Sequence, residues 1–223
     1  MPAHYSPKQA WEQLLAGNER FAAQQASHAN TDLDRRAQLR DGQNPIAVVL
    51  ACSDSRVPVE LIFDAGLGDL FVVRTAGEIL GESVMGSISY AVNSLQVPLV
   101  IVLGHESCGA VAAARAAVET GQIPDDHQRV LVERVAPSIM MAKSQGETES
   151  YEFERRHAAQ MAEQISGTMP RLGRKLEEGK VGLVAARYLL SDSRVETIMS
   201  AGVGDTPTDS GVLTEDGVLK LGM

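Results

Sequence analysis

Two short apolar runs, each followed by metal-ligating side chains, constrain this sequence more than any other feature. Residues 46–51 read Ile-Ala-Val-Val-Leu-Ala and lead directly into Cys52, and residues 99–104 lead into His105 and Cys108. Runs of this kind are typical of strands buried on both faces of a parallel sheet. Because the carboxyl ends of adjacent parallel strands open into one crevice, we expect these side chains to lie close together.

The residue types that follow the two runs are those that bind zinc. Cys52 and Cys108 are the two cysteines of the chain, and Asp54 and His105 lie close to them in sequence. Thiolate sulfur, imidazole nitrogen and carboxylate oxygen are the usual zinc ligands in proteins. The His-x-x-Cys spacing lets both residues turn inward from one loop between a strand and a helix. The sequence therefore predicts one zinc site built from two strand ends.

Two other uses of the cysteines compete with this interpretation. A disulfide would need an oxidising compartment, and the N-terminus has no apolar segment of signal-peptide length. Burial of thiols as small hydrophobic groups is the commoner fate of isolated cysteines. Neither use explains why Asp54, Arg56 and His105 also cluster at the strand ends, so the metal site is favoured.

Composition and charge limit the class of protein. Of 223 residues, 44% are hydrophobic and 4% are aromatic, which is typical of the aliphatic interior of an α/β protein. The net charge is −9, and the basic residues are scattered, which argues against nucleic-acid or anionic-membrane partners. Since no segment is apolar enough to cross a membrane, we expect a cytoplasmic protein.

Alternating strand and helix patterns predict a doubly wound α/β fold, with a mostly parallel central sheet flanked by helices. Residues 25–45 are expected to be irregular. The predicted strands are 46–51, 71–74, 99–103 and 181–186, the last of them closing the core. The predicted helices are 7–24, 82–96, 109–120, 127–145 and 151–178.

The chain is interpreted as one domain, residues 1–223. Residues 1–45 would form an N-terminal helical arm that lies outside the sheet and packs on a partner subunit. The helix at 151–178 is charged on one face, and it too is expected to pack on another subunit. Residues 203–223, rich in Gly, Asp and Thr, are expected to be a surface-draped or partly disordered tail.

Two further patterns are given structural rather than functional interpretations. The motif Ser-Asp-Ser-Arg at 53–56 recurs at 191–194, but Leu190 stands where the first copy has Cys52, so the second copy is interpreted as a turn. The remaining histidines lie in polar or charged surroundings, and we expect them on the surface. They are His4, His28, His127 and His157.

Residues 52–56, Cys-Ser-Asp-Ser-Arg, and residues 105–109, His-Glu-Ser-Cys-Gly, together resemble the paired signature of the β-class carbonic anhydrases. The resemblance extends through residues 64–77 and 87–92. It implies reversible hydration of carbon dioxide to bicarbonate and a proton, by attack of zinc-bound hydroxide. Zinc would be held by Cys52, His105 and Cys108, with an Asp54–Arg56 pair beside it.

The resemblance also implies a substrate site and a homodimer or homotetramer. Gln43 would donate a hydrogen bond to the substrate. Phe71 and Tyr90 would line an apolar pocket, partly from the neighbouring subunit, whose N-terminal helix embraces its partner. Ala76 would border the same dry pocket. The helix that begins at Gly109 would stabilise the adjacent thiolate and other negative charge through its free N–H groups.

Asp54 has two mutually exclusive roles in this family. As a fourth zinc ligand it closes the site, whereas held by Arg56 it leaves the metal open to water. Some members stabilise the closed state with bicarbonate bound to a Trp–Arg–Tyr trio. Arg74 and Tyr188 match two of these positions, but Val49 stands at the third. We therefore expect control mainly by pH, with activity favoured at alkaline pH because two thiolates already neutralise the zinc charge.

Three classes of function are open on this sequence. The favoured one is a zinc lyase acting on carbon dioxide. A related hydrolase acting on an apolar analogue such as carbon disulfide could use the same zinc chemistry. A non-catalytic zinc-binding protein would need the metal ligands but not Asp54, Arg56 and Gln43, which are all present.

Overall fold

A five-stranded sheet forms the centre of the described part of the chain. The structure is a computed structural model that describes residues 5–204, 212–213 and 219–220. The strand order is β2-β1-β3-β4-β5, with β1 to β4 parallel and β5 antiparallel to β4. Their bounds are β1 Ala47–Cys52, β2 Leu70–Thr75, β3 Leu99–His105, β4 Gly182–Tyr188 and β5 Val195–Ala201. A separate antiparallel pair consists of β6 Val212–Leu213 and β7 Leu219–Lys220.

Helices cover both faces of this sheet. They are α1 Pro7–Ala22, α2 Leu33–Gln38, α3 Val59–Ile62, α4 Glu82–Asn93, α5 Gly109–Thr120, α6 Arg129–Ser144, α7 Ser150–Thr168 and α8 Pro170–Glu177. Short 3₁₀ turns occupy Leu39–Asp41, Ala76–Glu78 and Asp126–Gln128. None of the helices among the described residues combines the length and the apolar character needed to cross a membrane.

The alternation of side chains along the central strands explains the three-layer arrangement. Val48 and Leu50 point to one face of the sheet, where α4, α7 and α8 pack against them. Val49 and Ala51 point to the other face, which α1 and α3 cover. Every residue of β1 is buried, as expected for a parallel strand covered on both sides. Apolar packing on both faces therefore fixes the positions of the central strands without help from polar contacts.

The predicted doubly wound sheet is confirmed, with one strand missing from the prediction. Residues 181–186 do not close the core, because β5 follows and pairs antiparallel with β4. β5 is an edge strand whose inward residues include Ile198 and Met199, while its other positions are only partly buried. A half-buried edge strand carries a weaker apolar signal than the continuous runs of the central strands.

Two segments differ from their predicted secondary structure. The helix predicted at 151–178 is divided into α7 and α8 at Met169–Pro170, because proline lacks the N–H that would continue the ladder. The segment 25–45 is not wholly irregular. Asp32 caps a short helix by accepting a hydrogen bond from the Arg35 N–H at 2.7 Å.

The apolar face of α1 packs within its own chain. Trp11 and Leu14 are each 1% exposed and join the core on one face of the sheet. Asn18 ties the helix to the loop before β5: it donates to the Ser193 carbonyl and accepts from the Val195 N–H. This apolar face is therefore unavailable to a partner, which would have to contact the opposite side of α1. The corresponding face of α7 likewise packs on its own sheet.

The second Ser-Asp-Ser-Arg motif is a turn, as predicted, in which the Arg194 N–H donates to Asp192 Oδ1 at 2.9 Å. His28 and His127 are exposed, also as predicted. His157 is not, and its burial is described with the site below. His4 and most of the expected tail at 203–223 lie outside the described residues.

Asp64 should make the stability of this fold depend on pH. Its fully buried carboxylate accepts hydrogen bonds from the Ser27 N–H and Oγ, the His28 N–H and Arg20. Burial opposes ionisation, but these donors together hold the Asp64 pKa well below its usual range. Because the Asp64 pKa is lower in the folded protein than its value of about 4 in the unfolded chain, the ionised carboxylate stabilises the fold above that pH. This stabilisation is lost as pH falls from the unfolded pKa toward the folded one.

We expect Asp64→Asn to lower the free energy of unfolding at pH 7 by about 1–3 kcal/mol, since buried donors lose a charged acceptor. Between about pH 5 and pH 3 its thermal midpoint should fall less steeply than that of the wild type. Thermal unfolding followed by circular dichroism measures both effects. Asp126→Asn, at an exposed carboxylate, is the control, and equal slopes for Asp64→Asn and wild type would contradict the assignment.

Candidate metal centre

The site lies where the chain turns in opposite directions from two neighbouring strands. From β1 the chain continues to β2 on one side, and from β3 it continues to β4 on the other. Such a switch point leaves an open crevice beyond the carboxyl ends of the two strands. Cys52 is the last residue of β1 and His105 is the last of β3. Cys108 follows as the N-cap of α5.

The three predicted ligands converge. A sulfur of Cys52, a ring nitrogen of His105 and a sulfur of Cys108 lie within 4.8 Å of one another, and all three residues are buried. Both cysteines are free thiols, so the alternative of a disulfide is excluded in this structure. Convergence at the end of the sheet is what the strand-end argument predicted.

The hydrogen bonding of His105 fits a zinc ligand. Its Nδ1 lies 2.8 Å from the Glu106 carbonyl, and because a carbonyl can only accept, Nδ1 carries the proton. Nε2 is then unprotonated, and although buried it has no hydrogen-bond partner among the described residues. Two sulfurs and one unprotonated imidazole nitrogen are the donor set of a catalytic zinc site with three protein ligands. The residues present therefore fit zinc.

The electrostatics of the cluster favour a cation. The pKa of Cys52 is lowered, mainly because the Cys108 thiol shares a proton with it through a hydrogen bond, with burial opposing and His105 and the Gly77 N–H assisting. The Gly77 N–H lies 3.2 Å from Cys52 Sγ. Sharing that proton with Cys52, together with burial, raises the pKa of Cys108. Burial lowers the His105 pKa, but the Cys52 sulfur more than offsets this and leaves it raised.

Asp54 lies beside the cluster and is oriented by Arg56. Arg56 Nε and Nη2 donate to the two carboxylate oxygens at 3.0 and 2.7 Å, and its backbone N–H donates at 2.9 Å. These bonds hold the Asp54 pKa well below its usual range. Asp54 Oδ2 is 3.9 Å from His105 Nε2. The Asp54–Arg56 ion pair matches the arrangement in which Asp54 stays off the metal.

A pocket of about 360 Å³ opens beside the ligands. Apart from Asp54 and Gln128, the residues that border it are small or apolar, which suits a small, largely apolar molecule. Its lining is Cys52, Ser53, Asp54, Ala76, Gly77, Gly109, Ala110, Ala113, Pro124, Gln128 and Leu131.

Comparisons with known proteins identify the family. A family model described as carbonic anhydrase matches residues 47–195. The chain belongs to the β-class carbonic anhydrase family. Carbonic anhydrase 2 of Mycobacterium tuberculosis is 46% identical over 189 residues, covering 85% of this chain and 91% of that protein. A carbonic anhydrase of Mycolicibacterium smegmatis is 45% identical over 191 residues, covering 86% and 93%.

Solved structures of the same class share the fold. The β-carbonic anhydrase CcaA superimposes with a TM-score of 0.65 at 22% identity, covering 84% of this chain and 94% of that one. A tetrameric β-carbonic anhydrase of Sordaria macrospora gives a TM-score of 0.65 at 20% identity, covering 84% and 95%. At these identities the likeness concerns the fold alone.

Within this carbonic anhydrase chain, only some expected substrate residues reach the pocket. Ala76 and Gly109 border it. Gln43 does not, since it is exposed and lines a different pocket near Tyr5 and Arg35. Phe71 and Tyr90 contact each other, with ring centroids 6.1 Å apart. Phe71 sits near the start of β2, whereas the ligands lie beyond the strand ends. A single chain therefore does not bring these three side chains to the ligands.

The three side chains at the positions of the family's bicarbonate site make other contacts in this structure. Val49 is fully buried in the sheet, between Val72 and Ile101. Arg74 donates to the carbonyls of Cys52 and Asp54 at distances of 2.6 to 2.9 Å. Tyr188 is buried beside His105 in the β3–β4 register. Arg74 thus braces the loop that carries the ligand and the acidic residue.

Two buried residues near the site were not recognised in the sequence. His157 was expected on the surface but is fully buried on α7, where it bonds Ser138 and the Gly77 carbonyl. Glu78 is 1% exposed, and burial raises its pKa to about 8. The charged residues around His157 in the sequence suggested solvent, yet one of them, Glu154, is itself buried in an ion pair with Arg187. The sequence did carry one signal of burial: His157 lies four residues after Phe153, on the same face of the predicted helix.

Metal content is the first test of this centre in the family member. Cys108→Ser should reduce bound zinc to well below one equivalent, because a neutral hydroxyl replaces a thiolate ligand poorly. Inductively coupled plasma mass spectrometry on purified protein measures the ratio. Ser53→Ala, which changes a pocket residue outside the predicted ligand set, is the control. A folded Cys108→Ser protein with a full equivalent of zinc would refute the ligand set.

Proposed function

We propose that this protein catalyses the zinc-dependent, reversible hydration of carbon dioxide to bicarbonate and a proton. The observation that carries the proposal is the convergence of Cys52, His105 and Cys108 beside an Asp54 that Arg56 holds in a bidentate ion pair. A purely structural zinc site has no need of an oriented carboxylate. The family membership and the mostly apolar pocket beside the ligands support the same function.

The chain's residues divide the work of hydration between them. When bound, zinc supplies a Lewis acid that makes water nucleophilic near neutral pH. Asp54 remains ionised at neutral pH because Arg56 lowers its pKa, so it accepts a hydrogen bond from the nucleophile and orients it. Ala76 and the neighbouring glycines leave space for a small apolar electrophile. The N–H groups at the start of α5 favour negative charge as it develops on the substrate oxygen.

Asp54 also offers a means of control. The Arg56 ion pair keeps the carboxylate off the metal, and breaking that pair would free it to replace water as a fourth ligand. Because hydroxide competes better for the metal as pH rises, we propose that alkaline pH favours the active arrangement. Val49, which offers neither an indole N–H nor a flat wall, supports control by pH rather than by bicarbonate.

We propose that the active form is a homo-oligomer whose substrate site is completed by a neighbouring subunit. Gln43, Phe71 and Tyr90 lie away from the ligands of their own chain, and Tyr90 is 50% exposed. A tetrameric relative shares the fold. The free thiols agree with a cytoplasmic location, where the reducing environment preserves them. Each chain, folded as one domain, would then contribute residues to two substrate sites.

The Asp54–Arg56 pair can be tested by activity. Arg56→Ala should reduce kcat/KM for hydration by about 10- to 100-fold, because the carboxylate loses its orienting partner, while zinc content falls much less. Stopped-flow hydration across pH 6–9 and metal analysis measure the two effects. Arg129→Ala removes an exposed arginine paired with Glu133 and serves as control. Wild-type turnover in Arg56→Ala would show that the pair is merely structural. A parallel assay of the wild-type protein with carbon disulfide tests the alternative that the protein is a hydrolase of that substrate.

Shared sites can be tested by mixing two variants of reduced activity. If Gln43 acts in a neighbouring subunit, a hybrid of Gln43→Ala and Arg56→Ala chains contains one site with both changes and one with neither. Co-expressed hybrids, purified with two different affinity tags, should then regain about half the wild-type activity per dimer. Each variant assembled with itself is the control. Hybrids no more active than the parents would place Gln43 in its own chain's site or outside catalysis.

A further inference from the structure

A buried chain of hydrogen bonds runs from α6 to the metal-ligand cluster. Ser138 Oγ lies 2.9 Å from His157 Nδ1, and His157 Nε2 lies 2.8 Å from the Gly77 carbonyl oxygen. The Gly77 N–H in turn donates to Cys52 Sγ at 3.2 Å. Ser138 and His157 are both fully buried. The Gly77 carbonyl therefore faces His157, and the Gly77 N–H faces Cys52, a predicted zinc ligand.

The protonation of His157 follows from its partners. The Gly77 carbonyl can only accept, so His157 Nε2 carries the proton, and Nδ1 accepts from the Ser138 hydroxyl. Burial lowers the His157 pKa to about 4, so the ring stays neutral at physiological pH. Ser138 thus fixes one tautomer, and that tautomer is the one that donates to Gly77.

The backbone at Gly77 needs external support. Gly77 has φ = +67°, and Glu78, which follows it, has φ = +39°. Left-handed conformations at consecutive positions persist only where surrounding structure holds them. A side chain at position 77 is also excluded, because its Cβ would lie 2.6 Å from Ala110 Cβ. The hydrogen bond from His157 supplies that support from α7, on the opposite side of the turn from Cys52.

We propose that His157 is a positioning residue for the metal centre: it holds the Gly77 turn so that the Gly77 N–H donates to the Cys52 sulfur. An N–H donor withdraws electron density from a thiolate and so reduces the charge the sulfur gives to a bound metal. With two thiolates in the ligand set, this keeps the metal more electrophilic. His157 itself touches neither metal nor substrate, and the inference rests on the proposed ligand role of Cys52.

Cobalt substitution tests the proposal without measuring turnover. In His157→Leu, which fills the space but cannot donate, the thiolate-to-cobalt charge-transfer band should move to lower energy. Without its N–H donor the Cys52 thiolate also becomes more basic and is more easily protonated away from the metal, so loss of cobalt to a chelator should become about 10-fold faster. In His157→Gln the side-chain amide can donate to the same carbonyl, so the band and the rate should return toward wild type. Ser166→Ala, which removes a buried hydroxyl elsewhere on α7, is the matched control.

A measurement on the unaltered protein covers the case in which His157→Leu does not fold. In the cadmium-113 form, the Gly77 amide proton should show scalar coupling to the metal through its bond to Cys52. Absence of that coupling, or a folded His157→Leu protein with wild-type band and cobalt loss, would overturn the proposal. Because these readouts require only metal binding, they can fail while hydration activity stands.

Discussion

The parallel pairing of β1 with β3 is the interaction on which the rest of this structure depends. The ladder runs from Val48 opposite Val100 to Ala51 opposite Leu103, and both strands are buried throughout. Its register carries Cys52 and His105 past the same end of the sheet. Since helices cover both faces, the ends of these strands are fixed by packing rather than by loop conformation. Ligands attached directly to such strands need little further ordering to bind a metal.

Polar contacts then hold the loops beyond the strand ends. Arg74 binds carbonyls of the segment after β1, and Glu154 accepts the Ser107 N–H at 2.7 Å in the loop before α5. Ser107 has φ = +58°, so this loop too depends on outside support. Glu154 is itself held by Arg187 from β4. Desolvation offsets much of the attraction within a buried ion pair, but removing one partner leaves an uncompensated buried charge. The Glu154–Arg187 pair therefore confines Glu154 to the arrangement in which it holds the loop between His105 and Cys108.

The two Ser-Asp-Ser-Arg motifs show how surroundings decide the use of one local structure. In both, the arginine N–H donates to the aspartate Oδ1 at 2.9 Å. Arg56 continues with its guanidinium onto the same carboxylate, beside the cluster. Arg194 instead binds Glu19 on α1, which secures that helix. The turn is encoded locally, but its function depends on which element packs against it.

The sequence was sufficient to predict the central strands, the α/β class and the cluster of Cys52, His105 and Cys108, because continuous apolar runs report burial and the ligands follow them directly. It did not determine that β5 would extend the sheet or that His157 would be buried. Hydrophobic pattern reports average exposure, whereas a buried polar residue is tolerated only where specific partners meet it. Those partners, Ser138 and the Gly77 carbonyl, lie 19 and 80 residues from His157 in sequence, so only the tertiary structure could bring them together.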